Sequence, residues 1–355
     1  MKLYIDITEF FMQDHGAGIH RVVRELKKRF EIDKRFEVSF VGWREDNYYI
    51  IENNQYGTKC SPQANDIFLA LDFAPIYTNH AVRGGIFAKY KDIGVKFHFV
   101  IHDIIPMKYP QFNPFWTKIY TEFFNNALKY HEVIHCVSNS TKNDVNNWCN
   151  DNGLQIPNLD YFHLGSDIVS TKTDIEINFN STAFLMVGTV EPRKGHRIVL
   201  TAFEKMWKQG LDLNLIIVGK TGWNLEDLWE KIGNHPQRNK RLFWYHNADD
   251  NMLLSLYQNC DCLIMASEAE GFGLPLIEAS KYNLPIIARD IPVFREICED
   301  NASYFSDENS LDSFIANWTN DYNNGKYIDS SNLKSLTWDE SYNSLVKKIY
   351  DHTKQ

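Results

Sequence analysis

The stretch Ser267-Glu-Ala-Glu270-Gly-Phe-Gly-Leu-Pro-Leu-Ile-Glu278 constrains this chain more than any other. Cys262-Leu-Ile-Met-Ala266, just before it, is an apolar segment of strand length. Ala279 to Ala288, just after it, closes a helix and opens another buried strand. The order is therefore strand, glycine turn, helix, strand. Gly271 and Gly273 let the backbone come close to a ligand, and Pro275 suits the first turn of a helix. Amides at such a helix start favour an anion, for instance a diphosphate. Glu270 and Glu278 flank this anion site with seven residues between them. A carboxylate does not help to hold phosphate. It accepts hydrogen bonds from hydroxyls, and a sugar offers several.

The 355-residue length suggests two domains at about 100–200 residues each, and the composition is that of a soluble globular protein. No apolar run approaches the ~20 residues of a membrane span. Met1-Lys-Leu-Tyr-Ile-Asp6 reads as a buried strand, too short for a signal-peptide core. The six scattered cysteines form no zinc pattern and imply reduced thiols and a cytoplasmic setting. A net charge of −9 argues against general nucleic-acid binding. Arg21, Arg24, Lys27, Lys28, Arg29, Lys34 and Arg35 nevertheless crowd into fifteen residues. That segment reads either as a solvated helix face with interspersed acids or as a surface for an anionic membrane or a diphosphate-linked lipid.

Along the chain, strands and helices alternate, the pattern of a doubly wound α/β fold. Leu3 to Asp6 is a strand, and Gly16-Ala17-Gly18 leads into a helix with Ile19, Val22, Val23, Leu26 and Phe30 on one face. Strand-like runs follow at Glu37–Trp43, Tyr48–Glu52, Ile67–Leu71 and Phe97–Ile101, the last ending in His102-Asp103-Ile-Ile-Pro106. Polar residues at such a strand end sit where α/β folds bind ligands. Asn113–His131 is helical in pattern and aromatic-rich, as a core helix would be. Residues 166–181 are polar and aperiodic, like a linker. Ala183-Phe-Leu-Met-Val187 then opens a second domain and delivers Gly188-Thr-Val-Glu191-Pro-Arg193-Lys194-Gly195, two cations and a glycine that suit a diphosphate. Gly219-Lys-Thr-Gly222 looks like the tail of a nucleotide-binding P-loop, but Asn214 stands where that motif needs glycine. Gly219 instead lets the backbone pass near a nucleotide. After Asn301 the pattern weakens into short helices, and Trp338–Tyr350 is a terminal amphipathic helix.

Glu-Gly-Phe-Gly-Leu-Pro with Glu270 and Glu278, together with Gly188–Gly195, resembles the signature of retaining glycosyltransferases of family 4. The resemblance implies the GT-B fold, two Rossmann-like domains facing across a cleft. It places a first domain at 1–170 on the acceptor side, a nucleotide-sugar-binding domain at 171–337, and a terminal helix at 338–355 that packs back on the first. It also implies that Arg193 and Lys194 hold the donor phosphates, with Gly18, Gly271, Phe272, Gly273 and Leu274 near the diphosphate. Glu278 would take ribose hydroxyls, Glu270 donor-sugar hydroxyls, and Asn247 and Ala248 the nucleobase. His102 would position the sugar, and Asp103, His20 and Arg21 would lie on the acceptor side. Asn283 stands where relatives commonly have glycine, and asparagine is the next-best residue for a left-handed turn.

The His102-to-Pro106 run and the Asp6-to-Arg21 opening look like mannosyltransferases of bacterial surface-polysaccharide assembly. GDP-mannose is therefore the leading donor. UDP-hexoses, GDP-fucose and dTDP-rhamnose stay open, as does a lipid-linked oligosaccharide or other glycan acceptor. No Asp-x-Asp metal motif is present, so no metal or other cofactor is expected. The expected place is the cytoplasm or the inner face of the plasma membrane. Two other classes compete: a GT-B nucleotide-sugar isomerase and a non-catalytic sugar-nucleotide-binding protein.

Overall fold

The computed structural model describes residues 2–14, 16, 18–168 and 177–353. Residues 1–164 and 337–355 form one unit and residues 165–336 a second. The boundary expected at 170/171 falls outside the described residues. Within the second unit, the Ser166 N–H donates to the Leu336 carbonyl at 3.0 Å, so its first and last residues meet.

The first unit holds strands β1 (Lys2–Asp6), β2 (Glu37–Arg44), β3 (Asn47–Glu52), β4 (Gln55–Lys59), β5 (Ile67–Ala70), β6 (Lys96–Ile101), β7 (His131–Cys136) and β8 (Leu159–Tyr161). They form one sheet in the order β4-β3-β2-β1-β5-β6-β7-β8. Pairing is parallel from β2 through β8, and an antiparallel meander adds β3 and β4 at one edge. The sequence patterns did not reveal β4, β8 or the meander. The helices are α1 (Thr8–Met12), α2 (Gly18–Ile32), α3 (Pro75–Arg83), α4 (Ile86–Asp92), α5 (Ile105–Lys108), α6 (Pro114–Tyr130) and α7 (Asn139–Asp151). Helix α6 starts where the Asn113 side chain accepts from the Trp116 N–H at 3.2 Å, with Pro114 in the first turn. It buries Tyr120, Phe123, Phe124 and Tyr130 in an aromatic core in which the Phe87 and Phe97 rings lie 4.5 Å apart.

The second unit is a six-stranded parallel sheet in the order β11-β10-β9-β12-β13-β14. Its strands are β9 (Ala183–Val187), β10 (Asn214–Val218), β11 (Leu242–Tyr245), β12 (Cys262–Met265), β13 (Ile286–Arg289) and β14 (Ser303–Phe305). Its helices are α8 (His196–Lys208), α9 (Glu226–Gly233), α10 (Asp250–Asn259), α11 (Leu274–Ser280), α12 (Pro292–Cys298) and α13 (Leu311–Asn323). The chain past Asn301 is thus better ordered than its pattern suggests, with a strand and a helix of 13 residues. Asn283 takes φ 55°, the left-handed turn expected of it.

The terminal helix α14 (Trp338–Thr353) belongs to the first unit. Arg29 Nε meets Asp339 at 2.6 Å, and the Tyr342 hydroxyl donates to Asp33 at 2.6 Å. His352 reaches Asp160 at 3.2 Å, and Asp160 in turn meets His135 at 2.7 Å, which bonds His98 at 3.0 Å. The six cysteines are buried and unbridged. Among the described residues no helix is long and apolar enough to cross a membrane.

Candidate functional site

In the second unit the site is built at the carboxyl ends of β9, β10 and β12, where a parallel sheet exposes its loops. Gly188 follows β9 and Gly219 follows β10, with φ of 147° and 155°. A Cβ on Gly219 would fall 2.0 Å from the Gly188 carbonyl, so only glycine allows the two loops to run this close. Gly195, φ 73°, ends a short 3-10 turn at Pro192–Lys194 and starts α8, and its Cβ would meet the Ala266 carbonyl at 2.4 Å. That contact brings the Arg193–Lys194 turn against the loop after β12.

Glu270 lies in this loop, its side chain 9% exposed. Arg193 Nη1 approaches Glu270 Oε2 at 2.9 Å, Lys194 pairs with Oε1, and the Ser267 hydroxyl donates to Oε1 at 2.8 Å. Arg193 also donates to the Ala269 carbonyl at 2.9 Å and meets Glu191 at 2.7 Å. Burial by itself would raise the Glu270 carboxyl; the charges of Arg193 and Lys194 outweigh it and hold it down at about 2. The expected phosphate cations and the expected sugar carboxylate are therefore one ion-paired cluster. A diphosphate entering it exchanges some of these contacts for its own oxygens, because Arg and Lys bind phosphate and carboxylate alike.

Gly271, Phe272 and Gly273 are buried in the turn that follows, and Leu274 opens α11. Gly273, φ 100°, caps α11 without a side-chain hydrogen bond. Glu278 is on α11, 4% exposed, and its Oε2 accepts from the Tyr257 hydroxyl of α10 at 2.7 Å. The Tyr257 ring stacks on Tyr282 at 6.2 Å and 5°. Asn247 is exposed and Ala248 half-buried in the loop after β11. That loop is braced by the Trp244 indole N–H, which donates to the Gly219 carbonyl at 2.9 Å, and by the His246 ring, 3.7 Å from Trp244.

In the first unit, His102 follows β6 with 7% exposure, and its Nε2 sits 3.4 Å from the Leu71 carbonyl. Burial lowers its imidazole to about 4, so it is neutral above pH 5. Asp103 accepts the Ile105 N–H at 2.9 Å and so shapes the start of α5. His20 is buried on α2, with Nδ1 3.6 Å from Asp14. Asp14 also accepts the Gly16 N–H at 2.8 Å and pairs with Arg24, which folds the turn before Gly18. Gly18 is the exposed first residue of α2, Arg21 is half-buried one turn on, and Ala17 lies outside the described residues.

Two buried acids at neighbouring strand ends of the first unit escaped the sequence reading. Asp6 ends β1 and Asp72 follows β5, two neighbouring strands, and the Asp72 N–H donates to the Asp6 carbonyl at 3.3 Å. The Asp72 carboxylate accepts the Phe10 N–H at 2.7 Å and the Phe73 N–H at 2.8 Å. Asp6 accepts the Thr8 N–H at 3.0 Å. Burial pushes Asp6 up to about 6 and Asp72 up to about 7. Asp6 was legible only as the polar end of a strand; nothing in the spacing linked it to Asp72. Ser267 and Tyr257, which orient Glu270 and Glu278, were equally invisible as partners.

Residues 170–326 match the glycosyl transferases group 1 family. Over 98% of its length the chain is 36% identical to the serotype-specific mannosyltransferase WbdA of Escherichia coli, covering 46% of that protein. It is 30% identical to the O-antigen chain mannosyltransferase RfbU of Salmonella typhimurium, over 61% of this chain and 59% of the relative. The chain thus spans less than half of WbdA. Among solved structures it superposes on Anabaena Alr3699/HepE in complex with UDP-glucose, with a TM-score of 0.72 over 99% of this chain and 100% of that one, at 15% identity. It superposes on the sucrose-phosphate synthase of Thermosynechococcus elongatus with a TM-score of 0.70 over 99% and 98% of the two chains, at 13% identity.

Proposed function

Residues 170–326 match the glycosyl transferases group 1 family and the chain has the GT-B fold, and on that premise we propose that it transfers mannose from GDP-mannose, with retention, to a glycan or lipid-linked oligosaccharide of a bacterial surface polysaccharide. The observation that carries the reading is the cluster of Arg193, Lys194, Ser267 and Glu270 at the ends of β9 and β12. It joins cations for a leaving diphosphate to a carboxylate for sugar hydroxyls. Retention of the anomeric configuration comes from the family resemblance of the Glu270–Glu278 stretch.

In this reading the guanidinium of Arg193 and the ammonium of Lys194 meet the charge that develops as the sugar leaves, in a buried setting where such stabilisation is strongest. Glu270 turns toward donor-sugar hydroxyls, and Glu278, aimed by Tyr257, toward the ribose. The residues near Asn247 and Ala248 border the base. Neutral His102 offers a hydrogen bond to a sugar hydroxyl, and Asp103, His20 and Arg21 lie on the acceptor side. No metal is needed, because the two cations supply the positive charge. WbdA and RfbU support mannose; the UDP-glucose held by HepE keeps a UDP-hexose as the second donor class. GDP-fucose, dTDP-rhamnose, an isomerase and a binding protein rank below these.

Peripheral contact with an anionic membrane belongs to the same proposal, though the basic helix offers it little free charge. Arg24, Lys27, Lys28, Arg29 and Arg35 each pair with a carboxylate.

The test is a thermal-shift panel of GDP-, UDP-, dTDP- and CDP-linked sugars in chelator, followed by transfer assays with the sugar that stabilises. Stabilisation by GDP-mannose and a mannosylated product are expected. Stabilisation by UDP-sugars alone replaces the donor, and stabilisation without transfer to any acceptor supports the binding protein.

A further inference from the structure

A cavity of about 480 Å³ opens on the first unit, on the face of its sheet where β2 gives way to the antiparallel edge. Its walls come from α1, α2, β2 and the β3–β4 hairpin, and of its lining residues Phe10 also donates its N–H to Asp72. The volume falls within the ~300–1,000 Å³ typical of small-molecule sites. Val41 on β2 pairs with Ile50 on β3, and Ile51 pairs with Tyr56 on β4, which brings Phe40, Ile51 and Tyr56 into one row. Gly42 makes room for that row: a Cβ there would come within 3.1 Å of both Ile51 and Tyr56. Phe11 of α1 stands edge-on to Tyr56 at 5.0 Å and closes one side. These rings are half-buried rather than sealed in the core.

The rim is polar. Lys27 lies over the Phe40 ring, 4.7 Å from its centre, and pairs with Glu31 one turn along α2. Asn53 and Asn54 form the tip of the hairpin with φ of 50° and 57°, both exposed. Half-exposed aromatic faces favour the C–H side of a pyranose ring, as they favour other apolar surface. Two carboxamides supply both donors and acceptors for its hydroxyls. The Lys27–Glu31 pair neutralises itself, so the hollow selects neither an anion nor a cation. An acyl or prenyl chain would gain nothing from the amides and the ion pair.

We propose that this hollow is a carbohydrate subsite that binds a neutral oligosaccharide. That the bound glycan is the acceptor rests on the transferase reading; the binding itself does not.

The experiment uses the intact chain without donor and reads saturation-transfer NMR and titration with α-linked mannotetraose, with maltotetraose as a second probe. Asn53→Gly/Asn54→Gly keeps the left-handed turn while removing both amides, and Phe11→Ala removes a ring from the wall. Melting temperatures confirm that both variants fold. Wild-type protein is expected to bind at least one tetrasaccharide, and each variant to lose about tenfold or more in affinity. Two results overturn the subsite: no binding of either glycan, and binding that both folded variants retain. Partition onto phosphatidylglycerol vesicles in place of glycan binding also overturns it. A wild type that binds mannotetraose yet transfers no sugar from any nucleotide donor sinks the transferase reading and leaves the subsite. A wild type that transfers, with both variants unchanged in binding and in KM for mannotetraose, does the reverse.

Discussion

Lys194 and Glu270, 76 residues apart in the chain, form a part-buried ion pair in which the Ser267 hydroxyl shares the same carboxylate oxygen. Arg193 takes the other oxygen at 2.9 Å. Removing one member of such a pair is destabilising, by less than the roughly 3–5 kcal/mol of a fully buried pair, because the others stay largely buried without compensation. Glu270→Gln is a milder probe, since the amide still accepts one hydrogen bond. Its expected effects are a lower melting temperature and a fall of about 10²–10³ in kcat. GDP binding should hold or tighten, because a phosphate no longer competes with a carboxylate for Arg193 and Lys194. Calorimetry with GDP and a transfer assay check both points, and activity within threefold of wild type would remove Glu270 from the reaction.

Burial, only partly offset by the Leu71 carbonyl, holds the His102 imidazole at about 4 against an ordinary 6.5. The folded protein therefore binds this proton less readily than the unfolded chain. The stability linked to it is complete above pH 6.5 and declines as pH falls toward 4. His102→Asn should flatten that part of the stability curve and lower kcat by about tenfold to a hundredfold. In the wild type, kcat/KM should show no inflection near pH 6.5 that His102→Asn abolishes. Finding such an inflection would mean that the imidazole titrates in solvent.

Asp72 carries the opposite sign. Its carboxyl sits at about 7 against an ordinary 3.8, chiefly through burial, with Asp6 adding to the rise. The folded state holds this proton more tightly than the unfolded chain, so the associated stability is present below pH 4 and is lost as pH rises through 7. Urea melts from pH 4 to 8 should show that decline, and Asp72→Asn should lessen it. Equal slopes in the two proteins would show that Asp72 stays ionised in the fold.

Gly219→Ala tests the loop crossing directly. The new Cβ would lie 2.0 Å from the Gly188 carbonyl, at a φ of 155° that other residues avoid. A loss of at least about 2 kcal/mol is expected from overpacking and strain together, with weaker GDP binding because both loops must part. Unchanged melting and unchanged GDP affinity would argue that the loops are free to separate without cost.

The sequence determined what is local. Hydrophobic runs of strand length, glycines at strand ends and Pro275 at a helix start made the second unit readable, because each is a short-range steric preference. The Glu270–Glu278 spacing and the Arg193–Lys194 turn carried the family resemblance on their own residues. Asn283 was likewise legible, since few residues accept φ 55°.

Other features belong to the tertiary structure. Lys194 and Arg193 come to Glu270 only because β9 and β12 are neighbours in the sheet. Asp6 meets Asp72 only because β5 inserts beside β1. Tyr257 aims Glu278 across two helices, and Trp338–Thr353 returns to the first unit after the chain has built the second. The row of Phe40, Ile51 and Tyr56 likewise exists only through strand register. Each of these is a contact between residues far apart in the chain. Topology selects such pairs, and no local preference of either residue records them.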